Sequence, residues 1–357
     1  MKKAYLILEN GDVYEGSSIG VSGESIGEVV FTTGMGGYME TLTDPGYYGQ
    51  IITHTFPLIG NYGVVASDNG GSKIYAKGYI VRELCQTGSN FRKEGELGAW
   101  LEENGVVGIE GIDTRRLTKT IREYGVMNGM ITPSLAQKAQ KLERIKEYKI
   151  KDAVTSTTCS EITSVGKGKR VVLIDYGASG CVAEKLASRG LEVITVPASV
   201  KAEEILALNP VGIVLSGGAG NPTEAKQMIA ELKKLNEAKL PTFAYSLGHQ
   251  LLAISLGGKI RKLKYGHRGA SQPVKDLSTG KVHVTSQNHG YVVMNGSLPE
   301  TVAKTTMINL NDKSCEALEY QDRPAFSVQF DPASLVEPLS GKDLFDKFIA
   351  TLEVSNA

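Results

Sequence analysis

The sequence predicts an α/β fold in which an N-terminal β-containing domain precedes a doubly wound, mostly parallel sheet. Three observations support this. The first third of the chain is glycine-rich and strand-like, short apolar strands alternate with helical segments after residue 170, and a strand, a tight turn and a helix follow one another around Ser246. At 357 residues the chain is also long enough for two domains.

The N-terminal domain is assigned to residues 1–150. Its predicted elements are the strands Ala4–Leu8 and Glu28–Phe31 and the helices Gly98–Glu103 and Asp113–Ile121. Turns around Gly11 and Gly20 separate the strands, and Asp113 is a suitable N-cap for the second helix. These features indicate a compact, β-rich domain.

A polar segment that ends in Gly166-Lys-Gly-Lys169 separates the two parts of the chain. We place a linker at 151–168 and the second domain at 169–357. The elements predicted after the linker are, in order, strand Arg170–Asp175, helix Val182–Ser188, strand Leu191–Val196, helix Ala202–Leu208, strand Val211–Ser216 and helix Glu224–Leu235. Such strict alternation implies parallel strands with helices on both faces, and ligands then bind beyond the carboxyl ends of the strands.

Composition excludes several classes of function. Basic and acidic residues number 39 each, so nothing suggests binding to nucleic acid or to an anionic membrane surface. The apolar run before Glu9 is too short for a signal peptide, and no run approaches the roughly 18 residues that span a bilayer. We therefore expect a cytoplasmic protein. The four cysteines are widely spaced, which predicts mostly buried thiols and no metal site or disulfide framework.

The segment Pro241–Gln250 has the layout of a nucleophile elbow, with a helix predicted at Leu251–Ser255. It resembles the G-x-C-x-G-H-Q elbow of class I glutamine amidotransferases, with Ser246 in place of the cysteine and Ala244 in place of the first glycine. The alternative is an ordinary strand-to-helix turn with a solvent-facing serine.

The segment Phe326–Ser334 resembles the family's F-S-V-Q-F-H-P-E-A, in which the histidine is the catalytic base and the glutamate orients it. Asp331 and Ala333 occupy those two positions, so all three catalytic positions, including Ser246, are altered. A serine hydroxyl needs a partner base, and an ordinary aspartate with a pKa of about 3.9 is a weak one. The resemblance thus implies a glutaminase scaffold without its chemistry.

Two further segments resemble parts of the family's glutamine pocket. Leu215–Pro222 resembles the loop L-S-N-G-P-G-D-P, in which Gly218 and Gly220 match while Gly217, Ala219 and Asn221 depart. A phosphate-binding turn is the alternative there. Ser286–Val293 resembles the Q-N-H-G-F segment, and its alternative is a hairpin turn built on Asn-His-Gly. By resemblance the pocket residues are Gly218, Gly220, Leu247, Gln250, Asn288, Gly290 and Tyr291.

The N-terminal domain narrows the resemblance to carbamoyl-phosphate synthetase small subunits. Gly34–Tyr47 resembles their M-T-G-Y-Q-E-I-L-T-D-P-S-Y, and Ser89–Arg92 and Gly111–Thr118 match further strings of that family. Gly46 replaces a serine that the family uses near the glutamine, and it completes the set of substrate-binding positions. The resemblance covers essentially the whole chain.

The resemblance implies an amidotransferase-type subunit paired with a large synthetase subunit. ATP and magnesium would bind to that partner, no cofactor or metal to this chain, and L-glutamine is a candidate ligand. With the triad altered, we expect glutaminase activity to be lost and the chain to act as a structural or regulatory partner of an ammonia-using large subunit. The alternatives are a slow Ser246-dependent glutaminase or repurposed hydrolase, and a non-catalytic glutamine sensor. His249 is the nearest substitute base, but its position is structural in the family.

Overall fold

The structure is a computed structural model that describes residues 2–71, 73–178, 181–334 and 343–354. Its contacts divide the chain into two units. The first comprises Met1–Lys151 with Lys264–Gly269, and the second comprises Asp152–Leu263 with Ala270–Ala357.

The first unit is built on a closed barrel. Its strands are β1 (Lys3–Leu8), β2 (Val13–Gly20), β3 (Ser25–Thr32), β4 (Gln50–His54), β6 (Gly78–Ile80), β8 (Val107–Glu110) and β9 (Met127–Thr132), and β5 (Leu58–Ile59) pairs with β7 (Glu83–Leu84) beside them. The barrel order is β1-β2-β8-β6-β4-β3-β9. The predicted strands Ala4–Leu8 and Glu28–Phe31 are confirmed as parts of β1 and β3.

Helices cover the hydrophobic clusters of this unit. They are α1 (Tyr38–Thr43), α2 (Leu97–Glu103), α3 (Thr114–Tyr124) and α4 (Lys138–Glu147). Because successive residues of a strand point to opposite faces, Val29 packs in the cluster that includes α3 and Val30 packs in the cluster that includes α1 and α2. The side chain of Asp113 accepts a hydrogen bond from the Arg116 amide at 2.8 Å, which confirms the predicted N-cap of α3.

Among the described residues, the second unit contains a ten-stranded sheet. Its elements are, in order, α5 (Ala153–Thr157), β10 (Thr163–Gly166), β11 (Lys169–Tyr176), α6 (Val182–Ala187), β12 (Leu191–Pro197), α7 (Ala202–Ala207), β13 (Gly212–Gly218), α8 (Lys226–Glu237), β14 (Thr242–Tyr245), α9 (Leu247–Ser255), β15 (Ile260–Asp276), β16 (Val282–Val293), β17 (Ala303–Asn309), β18 (Cys315–Tyr320), β19 (Ala325–Val328) and α10 (Leu344–Val354).

The strands at the centre of this sheet are parallel, as the alternation of strands and helices predicts. The order is β10-β12-β11-β13-β14-β19-β18-β17-β15-β16, and β12, β11, β13, β14 and β19 pair in parallel. The pairs β10/β12, β19/β18, β18/β17 and β17/β15 are antiparallel. The parallel centre brings the carboxyl ends of β13, β14 and β19 side by side.

Helices pack on both faces of the sheet. Val172 and Ile174 of β11 lie in the cluster that includes α7, α8 and α9, while Val171 and Leu173 lie in the cluster that includes α6 and α10. Every residue of β11 from Val171 onward is buried, as expected of a strand covered on both sides. The predicted doubly wound arrangement is therefore present.

The segment for which the sequence predicts a linker, 151–168, contains regular structure. It holds α5 and β10, and β10 pairs with β12 at the sheet edge. The hydroxyls of Thr157 and Thr158 also donate hydrogen bonds to carbonyl oxygens of β11. The polar sequence did not indicate a strand, because β10 lies at the edge of the sheet and all its side chains are exposed.

The cysteines are less buried than the sequence predicts. Cys315 on β18 is buried, Cys85 and Cys159 are half-buried, and Cys181 is exposed. The last three follow or precede short elements rather than lying within strands, where a small apolar side chain would be covered. All four cysteines are free thiols in the structure.

Candidate functional site: an altered nucleophile elbow

Ser246 sits on a strained turn between β14 and α9. Its backbone angles are φ 50° and ψ −113°, a conformation that side-chain-bearing residues rarely adopt. Its amide donates a hydrogen bond to the carbonyl oxygen of Val328 on β19 at 2.9 Å, which fixes the turn to the neighbouring strand. The predicted elbow is therefore present, although α9 begins at Leu247 rather than Leu251 and so includes His249 and Gln250.

Glycines allow the backbone to close around this turn. A Cβ atom at Gly248 would lie 2.4 Å from the Leu215 carbonyl oxygen, and one at Gly218 would lie 2.2 Å from the Tyr176 carbonyl oxygen. Gly220 has a φ of +92°, which favours glycine. The first amide of α9, that of Leu247, has no partner within its helix because it precedes the first helical turn. The glycines thus permit close packing of the backbone around the turn, and the Leu247 amide is available to a ligand oxygen.

The hydroxyl of Ser246 makes no hydrogen bond with any residue that the structure describes. Asp331 follows β19, and its Oδ1 accepts a hydrogen bond from the Ala333 amide at 2.8 Å. This bond closes a local turn of the kind that aspartate favours. The carboxylate is therefore used to stabilise its own turn, and the methyl group of Ala333 has no atom that could orient a base.

The environment of Asp331 disfavours the ionised form of its carboxyl group. Part of the side chain is exposed, but protein atoms crowd the carboxyl, and this loss of hydration raises its pKa. The hydrogen bond from Ala333 and the positive charge of Lys185 oppose the rise. Lys185 belongs to α6, and its Nζ lies 3.5 Å from the Ala333 carbonyl oxygen.

The environment of His249 disfavours a role as a base. It is fully buried on α9, and its Nδ1 shares a hydrogen bond of 2.7 Å with Ser327 Oγ. Burial lowers its pKa to about 3, because the imidazolium ion would lose its hydration without gaining a counter-charge. Its Nε2 has no hydrogen-bond partner in the described part of the chain. This residue is a neutral core histidine.

The remaining predicted pocket residues lie on α9 and β16. The Nε2 atom of Gln250 donates to the Tyr291 carbonyl oxygen at 2.8 Å and to Gln329 Oε1 at 2.9 Å. Asn288 and Gly290 lie within β16, so the alternative of a hairpin turn there is wrong. Alternation along the strand places Asn288 and Gly290 on one face and Tyr291 on the other.

Two family profiles match the chain. They are described as "Carbamoyl-phosphate synthase small chain, CPSase domain", which matches residues 6–131, and "Glutamine amidotransferase class-I", which matches residues 172–351. The carbamoyl phosphate synthase small chains of Clostridium perfringens and Listeria monocytogenes are each 44% identical to this chain, over 97% and 98% of it and 99% and 96% of their own lengths. This chain belongs to the carbamoyl-phosphate synthase small-chain family. The small chain of Bacillus caldolyticus is 43% identical over 99% of this chain and 98% of its own length.

Membership of the small-chain family confirms the resemblance of both units, but the roles of individual residues stay predictions. Gly46 lies in a 3-10 helix of the first unit, Pro45–Tyr47, where its amide donates to Asp44 Oδ1 at 2.8 Å. The other predicted pocket residues belong to the second unit. In the described segments, no helix has the length and apolar character needed to cross a membrane.

Sequence reasoning missed Tyr245, whose side chain is packed against the elbow. The family's elbow pattern leaves this position unspecified, so the motif gives no signal there. The one signal in the sequence is that Gly217 departs from the family's loop pattern. In the structure, a Cβ atom added at Gly217 would point at the Tyr245 ring.

The buried His249 predicts that stability falls in mild acid. Its pKa is about 3 when folded and about 6.5 when unfolded, so the unfolded chain binds more protons below pH 6.5 and stability is lost progressively as the pH falls towards 3. Between pH 7 and pH 5 we expect a loss of about 2 kcal/mol from this residue. Urea unfolding followed by circular dichroism at both pH values, for the native chain and for His249→Gln, measures it. An equal pH dependence in both proteins would rule this out.

Proposed function

We propose that this chain is the small subunit of a carbamoyl-phosphate synthase that no longer hydrolyses glutamine. It acts as a structural or regulatory partner of a large subunit, which binds ATP and magnesium and takes its nitrogen from free ammonia. The observation that supports this most is the state of Ser246: it keeps the strained position of the nucleophile while its hydroxyl has no hydrogen-bonded base among the described residues.

The chemistry of amide hydrolysis explains why this observation matters. A serine hydroxyl becomes a nucleophile only when a base within hydrogen-bond reach removes its proton, and the departing ammonia needs that proton back. The carboxylate of Asp331 accepts from the Ala333 amide, and Ala333 supplies no third group. His249 is neutral, buried and bonded to Ser327. Among the described residues, the site therefore has a strained turn but no base hydrogen-bonded to the Ser246 hydroxyl.

Co-purification and paired activity assays test the proposal. The chain is expressed with the large subunit from the same source, and carbamoyl phosphate formation is measured with ammonium and with glutamine as the nitrogen donor. We expect the two chains to co-purify, activity with ammonium, and no glutamine-dependent rate above the ammonia background. Failure to associate, or a glutamine-dependent rate comparable to the ammonium rate, would refute it.

The retained strain at Ser246 favours one alternative, a serine hydrolase with a different substrate. Strained backbone is kept at functional sites more often than elsewhere. A fluorophosphonate or an electrophilic glutamine analogue would then form a covalent adduct on Ser246, detectable by intact-mass spectrometry and absent from Ser246→Ala. Our proposal predicts no adduct on this residue in the native chain.

A further inference from the structure

The side chain of Tyr245 fills the space beside the elbow. It is the last residue of β14, directly before Ser246, and only 4% of its surface is exposed. Alternation along β14 places Ala244 in the cluster with α9 and Tyr245 in the cluster on the other face, with α6 and α10. Tyr245 pairs in register with Val328 on β19, the strand that leads to Asp331.

The ring of Tyr245 and the side chain at position 217 compete for the same space. A Cβ atom at Gly217 would lie 3.2 Å from Cε2 and 3.6 Å from Cδ2 of the Tyr245 ring, and 3.5 Å from Cβ of Ser246. The first distance is closer than ordinary van der Waals contact, so even a methyl group would push the ring. The family's loop pattern has asparagine at this position, and an asparagine is larger still. Gly217 and Tyr245 therefore form a sterically coupled pair.

The hydroxyl of Tyr245 lies among acidic groups at the carboxyl edge of the sheet. It is buried and has no hydrogen-bond partner among the described residues. Burial raises its pKa, and the nearby carboxylates of Asp331 and Asp175 add to the rise. The Gly217 amide beside it opposes the rise, although the two groups do not reach hydrogen-bond geometry. The buried phenol therefore lies close to the Gly217 loop and near the carboxylates of Asp331 and Asp175.

We propose that Tyr245 is a blocking residue, whose ring fills the room through which a catalytic base at position 331 would have to reach residue 246. This inference rests on the proposed loss of glutamine hydrolysis and adds a second cause to it. The first cause is that the reacting groups are absent at the three triad positions. The second is that the ring of Tyr245 occupies the space that a base would need. Restoring the three family residues is then insufficient by itself.

Stepwise restoration of the site tests this. The starting variant combines Ser246→Cys, Asp331→His and Ala333→Glu, and it is compared with the same variant carrying Tyr245→Leu or Tyr245→Phe. Ammonia release from glutamine gives kcat and KM for each, and circular dichroism shows that each is folded. Because a misplacement of about 1 Å can cost on the order of 100-fold in rate, we expect Tyr245→Leu to raise kcat by about that factor.

Tyr245→Phe is the matched control because it removes the hydroxyl and keeps the ring. We expect it to give no gain in kcat, which separates blocking by the ring from an effect of the acidic surroundings on the hydroxyl. The proposal is overturned if the starting variant is already as active as the one with Tyr245→Leu, if Tyr245→Phe rescues equally, or if folded Tyr245→Leu protein shows no gain.

A stability cycle in the native background keeps the inference testable if the restored site does not fold. Gly217→Ala is expected to lower the melting temperature when Tyr245 is present, and the loss should largely disappear in the Tyr245→Leu background. Equal losses in both backgrounds would show that the two positions are not coupled and would overturn the proposal.

The two proposals fail in different ways. Ammonia release by the native chain that is abolished in Ser246→Ala would remove the proposed function. Full activity of the starting variant with Tyr245 in place would remove only the blocking role.

Discussion

Glutamine incubated with the purified chain is expected to lose its side-chain amide on the order of 10⁶-fold more slowly than with a small chain that carries the family's cysteine, histidine and glutamate. Loss of the nucleophile or the base of a catalytic triad alone has an effect of this size, and further losses add little because the groups act as a unit. Among the described residues no base is hydrogen-bonded to the hydroxyl of Ser246, and Asp331 accepts a hydrogen bond from the Ala333 amide. An enzyme-coupled ammonia assay measures the rate.

The control for this prediction is Ser246→Ala. Since residual turnover would come from binding and from backbone donors alone, the variant should release ammonia at the same low rate as the native chain. A tenfold or greater drop on this substitution would mean that Ser246 is a working nucleophile.

Gly248→Ala is expected to cause a large loss of stability in the second unit. The added Cβ would lie 2.4 Å from the Leu215 carbonyl oxygen and 2.8 Å from Leu215 Cβ, so α9 would have to move away from β13. Overpacking of this kind costs about 3 kcal/mol. For a unit of this size, the melting temperature should fall by roughly 6–12 °C, which differential scanning calorimetry can measure.

Gly98→Ala is the matched control. This glycine lies within α2, and its added Cβ would meet Leu84 Cδ2 at an ordinary 3.4 Å. Alanine is favoured over glycine in a helix by roughly 0.5–1 kcal/mol, so this variant should melt at the same or a higher temperature. A neutral effect of Gly248→Ala would show that the elbow is not tightly packed on β13.

Local sequence patterns predicted those helices and strands that are determined by residues close together in the sequence. Asp113 before an amphipathic run predicted α3, and the buried runs of β11, β12 and β13 predicted a parallel sheet. The antiparallel half of the sheet was not predicted, although β17, β18 and β19 follow one another along the chain and pair as neighbours. The strand β10 was missed because its exposed polar residues have the composition of a linker.

The sequence motif predicted the backbone turn of the candidate site. It did not predict the side-chain contacts that depend on packing between distant elements. The spacing around Ser246 predicted the elbow, since only a few residue types tolerate its geometry. The closeness of Tyr245 to Gly217 could not be predicted, because it depends on the register of the two adjacent strands β13 and β14. The hydrogen bond between Gln250 and Gln329 could not be predicted either, because it forms only when α9 packs beside the end of β19.

The nitrogen source of the assembled synthase shows directly whether this chain supplies ammonia from glutamine. The complex of this chain with its large subunit is supplied with glutamine labelled with ¹⁵N at the amide and with unlabelled ammonium, and the carbamoyl phosphate formed is analysed by mass spectrometry. We expect a product whose nitrogen is unlabelled, because the amide of glutamine is not hydrolysed at Ser246. A product enriched in ¹⁵N, with the enrichment lost in Ser246→Ala, would contradict it.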